Sequence, residues 1–282
     1  MNASGLPRFH KFELTNRWAL ITGGAGLLGK EHAKALMEAG ANVVLWDVDS
    51  EALNAAKSNF QNNYPNRKII INEVDITDEK KVEQGQAELS KLGISISILI
   101  NNAAINPKYD NNNGVKSFSR IENFDLDDWN LQLKVGLTGT FICSKIFGTK
   151  MAENGHGVIL NIASDLSIIS PDQRLYEIDG VAKKNQPVKP ITYSVVKSGL
   201  IGLTRYLSTY WRTEGVRVNA LSPGGIYENH SQEFVNKINE LIPLGRMAKI
   251  DEYHSVIQFL CSEASAYMTG QNVVMDGGRT VW

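Results

Sequence analysis

Short apolar runs alternate with amphipathic, helix-periodic stretches almost from end to end of this 282-residue chain, and that rhythm limits the folds open to it. Seven runs read as strands: residues 18–22 (WALIT), 42–46 (NVVLW), 68–74 (KIIINEV), 96–100 (ISILI), 157–162 (GVILNI), 216–221 (VRVNAL) and 272–276 (NVVMD). Continuous apolar runs of this length suit strands buried on both faces, which a parallel sheet covered by helices on each side provides. One helical pattern spans 27–40 and stops at Gly40, a residue suited to the turn that ends a helix. Another runs from Tyr193 to Trp211, with Val196, Leu200, Leu203 and Leu207 on one stripe. Alternation of this order predicts an α/β fold, a doubly wound parallel sheet of seven strands with helices on both faces. Two polar, turn-rich stretches interrupt it, at 106–120 and 170–190. No repeat or low-complexity segment is present, so residues 1–282 read as a single domain with two excursions, and long loops are often functional.

The first strand runs into Thr22-Gly23-Gly24-Ala25-Gly26-Leu27-Leu28-Gly29 and then a helix. Glycines at 23, 26 and 29 permit a tight turn, close approach of backbone to a pyrophosphate, and close strand–helix packing. The helix start offers N–H groups and partial positive charge to phosphates. The strand–turn–helix setting makes this a Rossmann-type dinucleotide turn, with Gly23, Gly26, Leu27, Leu28 and Gly29 as the expected contacts. Asp47 closes the second strand, where a carboxylate can accept from adenosine ribose hydroxyls and would repel a 2′-phosphate. No Arg or Lys follows it in WDVDSEAL, so NAD is expected rather than NADP, although a strand-end Asp can also cap a helix. Asp75 and Ile76 follow the third strand; Asp75 could meet the adenine amine or cap the helix beginning near Thr77. Asn102, Ala103 and Ala104 follow the fourth, small enough in part for a ligand to lie against the backbone.

Tyr193 and Lys197 stand four residues apart on the expected helix and so share a face. An ammonium beside a phenol favours the phenolate, and a tyrosine tuned downward can exchange a proton with a hydroxyl near neutral pH. The pair alone is a weak sign, since such spacings arise by chance.

In order along residues 15–282 come the glycine turn, Asn101-Asn102-Ala103-Ala104, Asn161-Ile162-Ala163-Ser164, the Tyr193/Lys197 helix, Ser222-Pro223-Gly224-Gly225, and Thr269-Gly270-Gln271 before Asp276-Gly277-Gly278. With these motifs the chain resembles the short-chain dehydrogenase/reductase family. Within it, ITGGAGLLGKE, VGLTGTFICSKIFG, SPDQRLYE and RYLSTYW are similar to bacterial oxidoreductases of flagellin modification and nonulosonic-acid sugar biosynthesis. The resemblance implies that Tyr193 is the general acid/base, that Lys197 holds the nicotinamide ribose and lowers the Tyr193 pKa, and that Ser164 hydrogen-bonds the substrate oxygen. It places Pro223, Gly224 and Ile226 beneath the nicotinamide, and implies a homodimer or homotetramer.

Four departures from the family pattern stand out. Leu27 occupies the usual second glycine position, with Gly26 one place earlier. Gly136 replaces an Asn whose backbone carbonyl helps hold a proton-relay water. Tyr193 lies 29 positions after Ser164, a longer gap than is usual, so a polar insertion separates two groups that must meet. Glu228 replaces a Thr near the cofactor phosphates and is expected to point away or to contact substrate. The insertion carries Asp172, Gln173, Arg174, Tyr176, Glu177 and Asp179, which suit a polyhydroxylated substrate better than an acyl chain. Asp165, Arg174 and Tyr176 are the substrate contacts expected, and Arg174, Lys183, Lys184 or Lys189 could meet a phosphate.

A net charge of -1 gives no electrostatic case for nucleic acid or an anionic membrane, and no apolar run approaches the ~20 residues that span a bilayer. The opening residues lack an apolar signal core and read as a polar leader. Cys143 and Cys261 sit far apart in apolar stretches, pointing to reduced packing residues, no metal site and a cytoplasmic setting. The expected activity is NAD-dependent hydride transfer with a secondary alcohol or ketone, most simply of a sugar. A 3-oxoacyl reductase and a dinucleotide sensor without catalysis are the alternatives; Asp47 argues against the first and retention of Ser164, Tyr193 and Lys197 against the second.

Overall fold

The structure, a computed structural model, describes residues 10–105 and 119–282. Most of the 106–120 excursion and the first nine residues of the leader therefore lie outside the described residues. The strands are β1 (Trp18–Thr22), β2 (Asn42–Asp47), β3 (Ile69–Glu73), β4 (Ile98–Asn101), β5 (Gly157–Ile162), β6 (Val216–Pro223) and β7 (Asn272–Met275). The helices are α1 (Leu27–Glu38), α2 (Ser50–Asn63), α3 (Glu79–Lys91), α4 (Leu126–Leu133), α5 (Thr140–Glu153), α6 (Ile191–Tyr210), α7 (Gln232–Asn239) and α8 (His254–Cys261). All seven strands pair in parallel in the order β3-β2-β1-β4-β5-β6-β7. The order reverses between β1 and β4, and in open α/β sheets ligands lie outside the carboxyl ends of strands at such a reversal.

Period-two geometry divides the core between the two faces of the sheet. Ala19, Ile21, Val43 and Leu45 face one layer, built with Leu36 of α1, Phe60 of α2 and Leu260 of α8. Leu20, Val44 and Trp46 face the other, with Val82 of α3, Phe147 of α5 and Leu207 of α6. A Val, Leu, Ile or Phe fully buried here contributes about 1.5–3 kcal/mol relative to exposure, which is why the inner strands are largely apolar on both faces. Gly40, at φ 107°, ends α1 as the sequence suggests. Asp49 caps α2 by accepting from the Ala52 amide, and Asp78 caps α3 by accepting from Lys80 and Lys81.

Between α4 and α5 the helix does not stop. Lys134–Gly139 form a π-helical turn, so the two helices make one rod with a local widening. Gly136 and Gly139 are both buried there, and turns of this kind frequently occur at functional sites.

Candidate active site

The glycine turn is shaped by contact on one side and space on the other. A β-carbon on Gly29 would stand 2.1 Å from the Gly23 carbonyl oxygen, and one on Gly23 would stand 2.9 Å from Ala103 Cα. Gly23 itself adopts φ 61°, in the left-handed region. At Gly26 an added β-carbon would touch only the Gly23 carbonyl oxygen, at 3.2 Å, so its outer side is open. Gly26 is the N-cap of α1 and supplies no side-chain cap, which leaves the first helical N–H groups to a ligand. Leu27 and Leu28 open that first turn. Thr22, passed over in the sequence, ties β1 to β4: its hydroxyl accepts from the Asn102 and Ala103 amides at 3.1 Å each. The Asn102 amide group donates to the Thr22 and Gly23 carbonyls at 3.0 and 3.1 Å. Ala104 is exposed just beyond.

Asp47 is not a helix cap, because Asp49 fills that position. Its carboxylate accepts from Ala25 in the glycine turn at 3.1 Å and from Val48 and Asp49 at 2.8 and 3.3 Å. It therefore sits where the turn and the end of β2 meet. Asp75 accepts from the Thr77 amide at 2.9 Å, while Asp78 caps α3, so Asp75 shapes the loop after β3. Ile76 is buried against Gly139. A cofactor group could be held here by Gly26 and the start of α1 for phosphates, with Asp47 beside the turn for a ribose.

Ser164 follows β5, and Tyr193 and Lys197 lie in the first two turns of α6. Despite the insertion, the Ser164 hydroxyl comes close enough to the Tyr193 phenol to act on its pKa. The Ser164 hydroxyl also donates to Asp165 at 2.8 Å and accepts from the Leu166 amide at 3.2 Å. Lys197 is buried, and its ammonium donates to the Ile162 carbonyl at 2.7 Å, 5.7 Å from the centre of the Tyr193 ring. Burial, with Lys189 adding repulsion, brings the Lys197 pKa down to about 8. Burial pushes the Tyr193 phenol above its ordinary value; the Ser164 hydrogen bond pulls it back and Asp165 pushes it further up. The downward tuning expected from the Tyr193/Lys197 spacing is thus outweighed by desolvation in this state.

Two further charges meet at this point. Asp165 forms a buried ion pair with Arg279 at 2.7 Å, which ties the last turn of the chain to the residue beside Ser164. Lys189, from the end of the insertion, lies 3.9 Å over the centre of the Tyr193 ring. Burial lowers its pKa to about 8, with Asp165 opposing and Arg279 reinforcing the shift. No pattern pointed to Arg279, 114 residues from its partner. Lys189 had a signal, since Lys189, Tyr193 and Lys197 are equally spaced by four.

The other expected substrate contacts stand elsewhere. Arg174 is 79% exposed and bound to its near neighbour Asp172 at 2.6 Å, so it is a surface pair. Tyr176 packs on Phe234 of α7, ring centres 6.1 Å apart, and buried Leu175 joins Ile238, Ile242 and Met247. The middle of the insertion packs on α7, while its two ends, at 170–173 and 188–190, line a cleft. This cleft, of about 580 Å³, runs beside the site, between the segments 119–122, 166–173 and 188–198. It is lined by nine apolar residues and five serines together with Arg120, Glu122, Gln173 and Lys189, and Ser164, Tyr193 and Lys197 are not part of its lining.

Pro223 is buried at the end of β6, and the Gly224 carbonyl accepts from the Tyr253 hydroxyl at 3.2 Å. Ile226 bridges to Ala248. Glu228 is exposed, with its amide donating to His230 at 3.1 Å. At Gly136 a β-carbon would crowd Val196 Cγ1, so a side chain there requires Val196 to shift, and the Gly136 carbonyl accepts from the Thr140 hydroxyl at 2.9 Å. Among the described residues no three His, Cys, Asp or Glu side chains converge on a metal position, and no helix is long and apolar enough to cross a membrane.

The family model described as enoyl-(acyl carrier protein) reductase matches residues 24–280. The chain is 30% identical over 276 residues to the NAD-dependent glycerol dehydrogenase of Listeria innocua, covering 96% of each chain. It is 32% identical over 281 residues to the galactitol 2-dehydrogenase of Rhizobium johnstonii, covering 96% of this chain and 98% of that one. It also resembles the crystal structure of a gluconate 5-dehydrogenase from Burkholderia cenocepacia J2315 in complex with NADP and tartrate, with a TM-score of 0.81 and 26% identity over 97% of this chain and 99% of that one. With this agreement along nearly its whole length, the chain belongs to the short-chain dehydrogenase/reductase family of oxidoreductases.

Proposed function

We propose that the protein is an NAD-dependent dehydrogenase acting on a secondary alcohol of a sugar or sugar derivative, or on the matching ketone. The observation that carries this reading is the meeting of Ser164, Tyr193 and buried Lys197 beside the glycine turn. When bound, NAD supplies a hydride acceptor for the carbinol carbon. Tyr193 takes the hydroxyl proton, and Ser164 holds the same oxygen. For that the Ser164 hydroxyl proton needs only to rotate away from Asp165, since the oxygen is already fixed by the Leu166 amide. Lys197, anchored by the Ile162 carbonyl, binds the nicotinamide ribose and favours the phenolate. Pro223, Gly224 and Ile226 bound the nicotinamide side.

NAD rather than NADP follows from Asp47, whose charge repels a 2′-phosphate, and from the absence of Arg or Lys in WDVDSEAL. Two relatives named for polyols and a structural neighbour named for gluconate support a polyhydroxylated substrate. Five serines and Gln173 in the cleft offer hydrogen-bond partners to hydroxyl groups. The resemblance to flagellin-modification and nonulosonic-acid oxidoreductases is the narrowest form of the same proposal. Exposed Phe141, Tyr206 and Tyr210, on α5 and α6, support a homodimer or homotetramer. Both cysteines are buried thiols, in keeping with a reducing cytoplasm.

The test is a screen of NAD and NADP reduction across polyols, aldonic acids, sugar phosphates and nucleotide sugars. The expected result is turnover of a polyhydroxylated alcohol with higher kcat/KM for NAD. Tighter use of NADP would remove the cofactor assignment, and turnover confined to acyl thioesters would remove the substrate class.

A further inference from the structure

Arg279 stands in the last turn of the chain, 114 residues from the carboxylate it pairs with. A guanidinium buried at such a place is costly unless it is paired, and the turn around it is built to hold it there. Gly278, at φ 90°, bends the chain just before it. The Asp276 carboxylate accepts from the Gly278 and Thr280 amides on either side of it, at 2.9 and 2.8 Å. The Trp282 indole then donates to the Leu241 carbonyl at 3.2 Å. From this turn the guanidinium donates to Asp165 Oδ2 at 2.7 Å, with the two side chains only 7% and 5% exposed. The other oxygen, Oδ1, accepts from the Ser164 hydroxyl and the Leu166 amide, each at 2.8 Å. A single buried carboxylate thus joins the end of the chain to Ser164.

That join bears on the chemistry of Ser164. A carboxylate paired with a guanidinium only accepts, so while the Ser164 proton lies on Asp165 the serine oxygen can only accept from a substrate. This suits an alcohol, whose O–H donates. It does not suit the carbonyl oxygen left when hydride departs, which needs a donor, so the hydroxyl must turn during the reaction. How readily it turns depends on how firmly Asp165 holds it, and Arg279 draws on the same carboxylate. We infer that Arg279 is a positioning residue of this site: acting through Asp165, it governs the turn of the Ser164 hydroxyl between that carboxylate and the substrate oxygen. This deepens the dehydrogenase reading and rests on Tyr193 as its acid/base.

The pair also sets part of the field at Tyr193. After burial, which acts first, Asp165 pushes the phenol up, and the guanidinium opposes that carboxylate. The other charged or titratable groups around the pair are Lys189 at the end of the insertion, Asp172 near its start, Lys197 on α6, Tyr253 before α8, and Asp276 in the last turn. Removing the guanidinium leaves Asp165 unopposed and raises the Tyr193 pKa further; removing both charges lowers it.

The experiment follows NAD-dependent oxidation of the best substrate against pH in wild type, Arg279→Met, Arg279→Lys and the double variant Asp165→Asn/Arg279→Met. NAD affinity and circular dichroism are measured on each. In this direction the rate rises with pH as the proton acceptor ionises. Arg279→Met should lose on the order of 10- to 100-fold in kcat, with NAD affinity within a few-fold of wild type. Its acidic limb in kcat/KM should move up by about one pH unit, and Arg279→Lys should recover part of both effects. The double variant buries neither charge without its partner, and its limb should move the opposite way, below that of wild type. A limb at the wild-type position in the folded double variant overturns the inference, whether or not Arg279→Met folds. So does a loss in Arg279→Met that only follows its folded fraction, with the limb unmoved. Tyr193→Phe serves as control. If that variant keeps its activity the dehydrogenase reading fails; if it loses activity while the limbs stay fixed, only the role of Arg279 is removed.

Discussion

His32 shows how burial at a single residue sets the behaviour of the site's foundation. It lies buried on α1 with no partner for its Nε2 among the described residues, near Asn102 and with His254 and Lys197 close enough to repel its charge. Burial first, then His254, hold its pKa at about 3 instead of 6.5. The unfolded chain takes up that proton as the pH falls below 6.5, whereas the folded chain resists until about 3. The stability contribution is therefore whole above 6.5 and is lost as the pH falls from there toward 3. At pH 4.5 the loss from this residue is about 3 kcal/mol. His32→Gln should lose correspondingly less stability between pH 7 and 4.5 in urea titrations; an unchanged slope would show that the ring is accessible to protons. Nothing in the sequence marked His32, since a histidine on the inner stripe of a helix looks like any other core residue. By contrast, Gly23, Gly29 and the Tyr193/Lys197 pair were legible because turn geometry and helical spacing are local properties.

At the scale of elements, the central constraint is the approach of α6 to the π-helical turn joining α4 and α5. Val196, one residue before Lys197, fills the space that a side chain at position 136 would need. Gly136→Ala should destabilise the protein by about 1–3 kcal/mol through overpacking, and Val196→Ala in the same chain should restore most of it. Thermal or urea unfolding of the two single variants and the double variant measures this directly; additive losses would contradict the contact. An Asn in place of Gly136 would therefore have to displace Val196. The strands were legible because double burial writes itself as continuous Val, Ile and Leu. The π turn was not, because its residues differ from those of an ordinary helix only in what α6 places against them. The insertion was legible as a polar excursion, but its direction was not. Tyr176 and Leu175 were free to line a pocket by composition, and it is the apolar face of α7 that draws them away.

Over the whole molecule, the reversal of strand order between β1 and β4 gathers the glycine turn, Asn102 and Ser164 at one edge of the sheet. The last turn of the chain closes the other side through Arg279 and Asp165. Long-range pairs of this kind are unreadable from one sequence, since neither partner carries a local pattern. Tyr206 and Tyr210, 64% and 62% exposed, leave an aromatic face on α6 that suits a second copy. Light scattering should accordingly give a mass at least twice 31.2 kDa, and a monomer would refute that assembly. The central claim is that Tyr193, held with Ser164 and Lys197, performs the proton transfer of an NAD-dependent oxidation. It is tested most directly by NADH formation from the best substrate of the screen in wild type and Tyr193→Phe, with NAD affinity measured on both. The account predicts a loss of roughly 10²–10⁴-fold in kcat with NAD binding essentially unchanged. Turnover by Tyr193→Phe within a few-fold of wild type would contradict it.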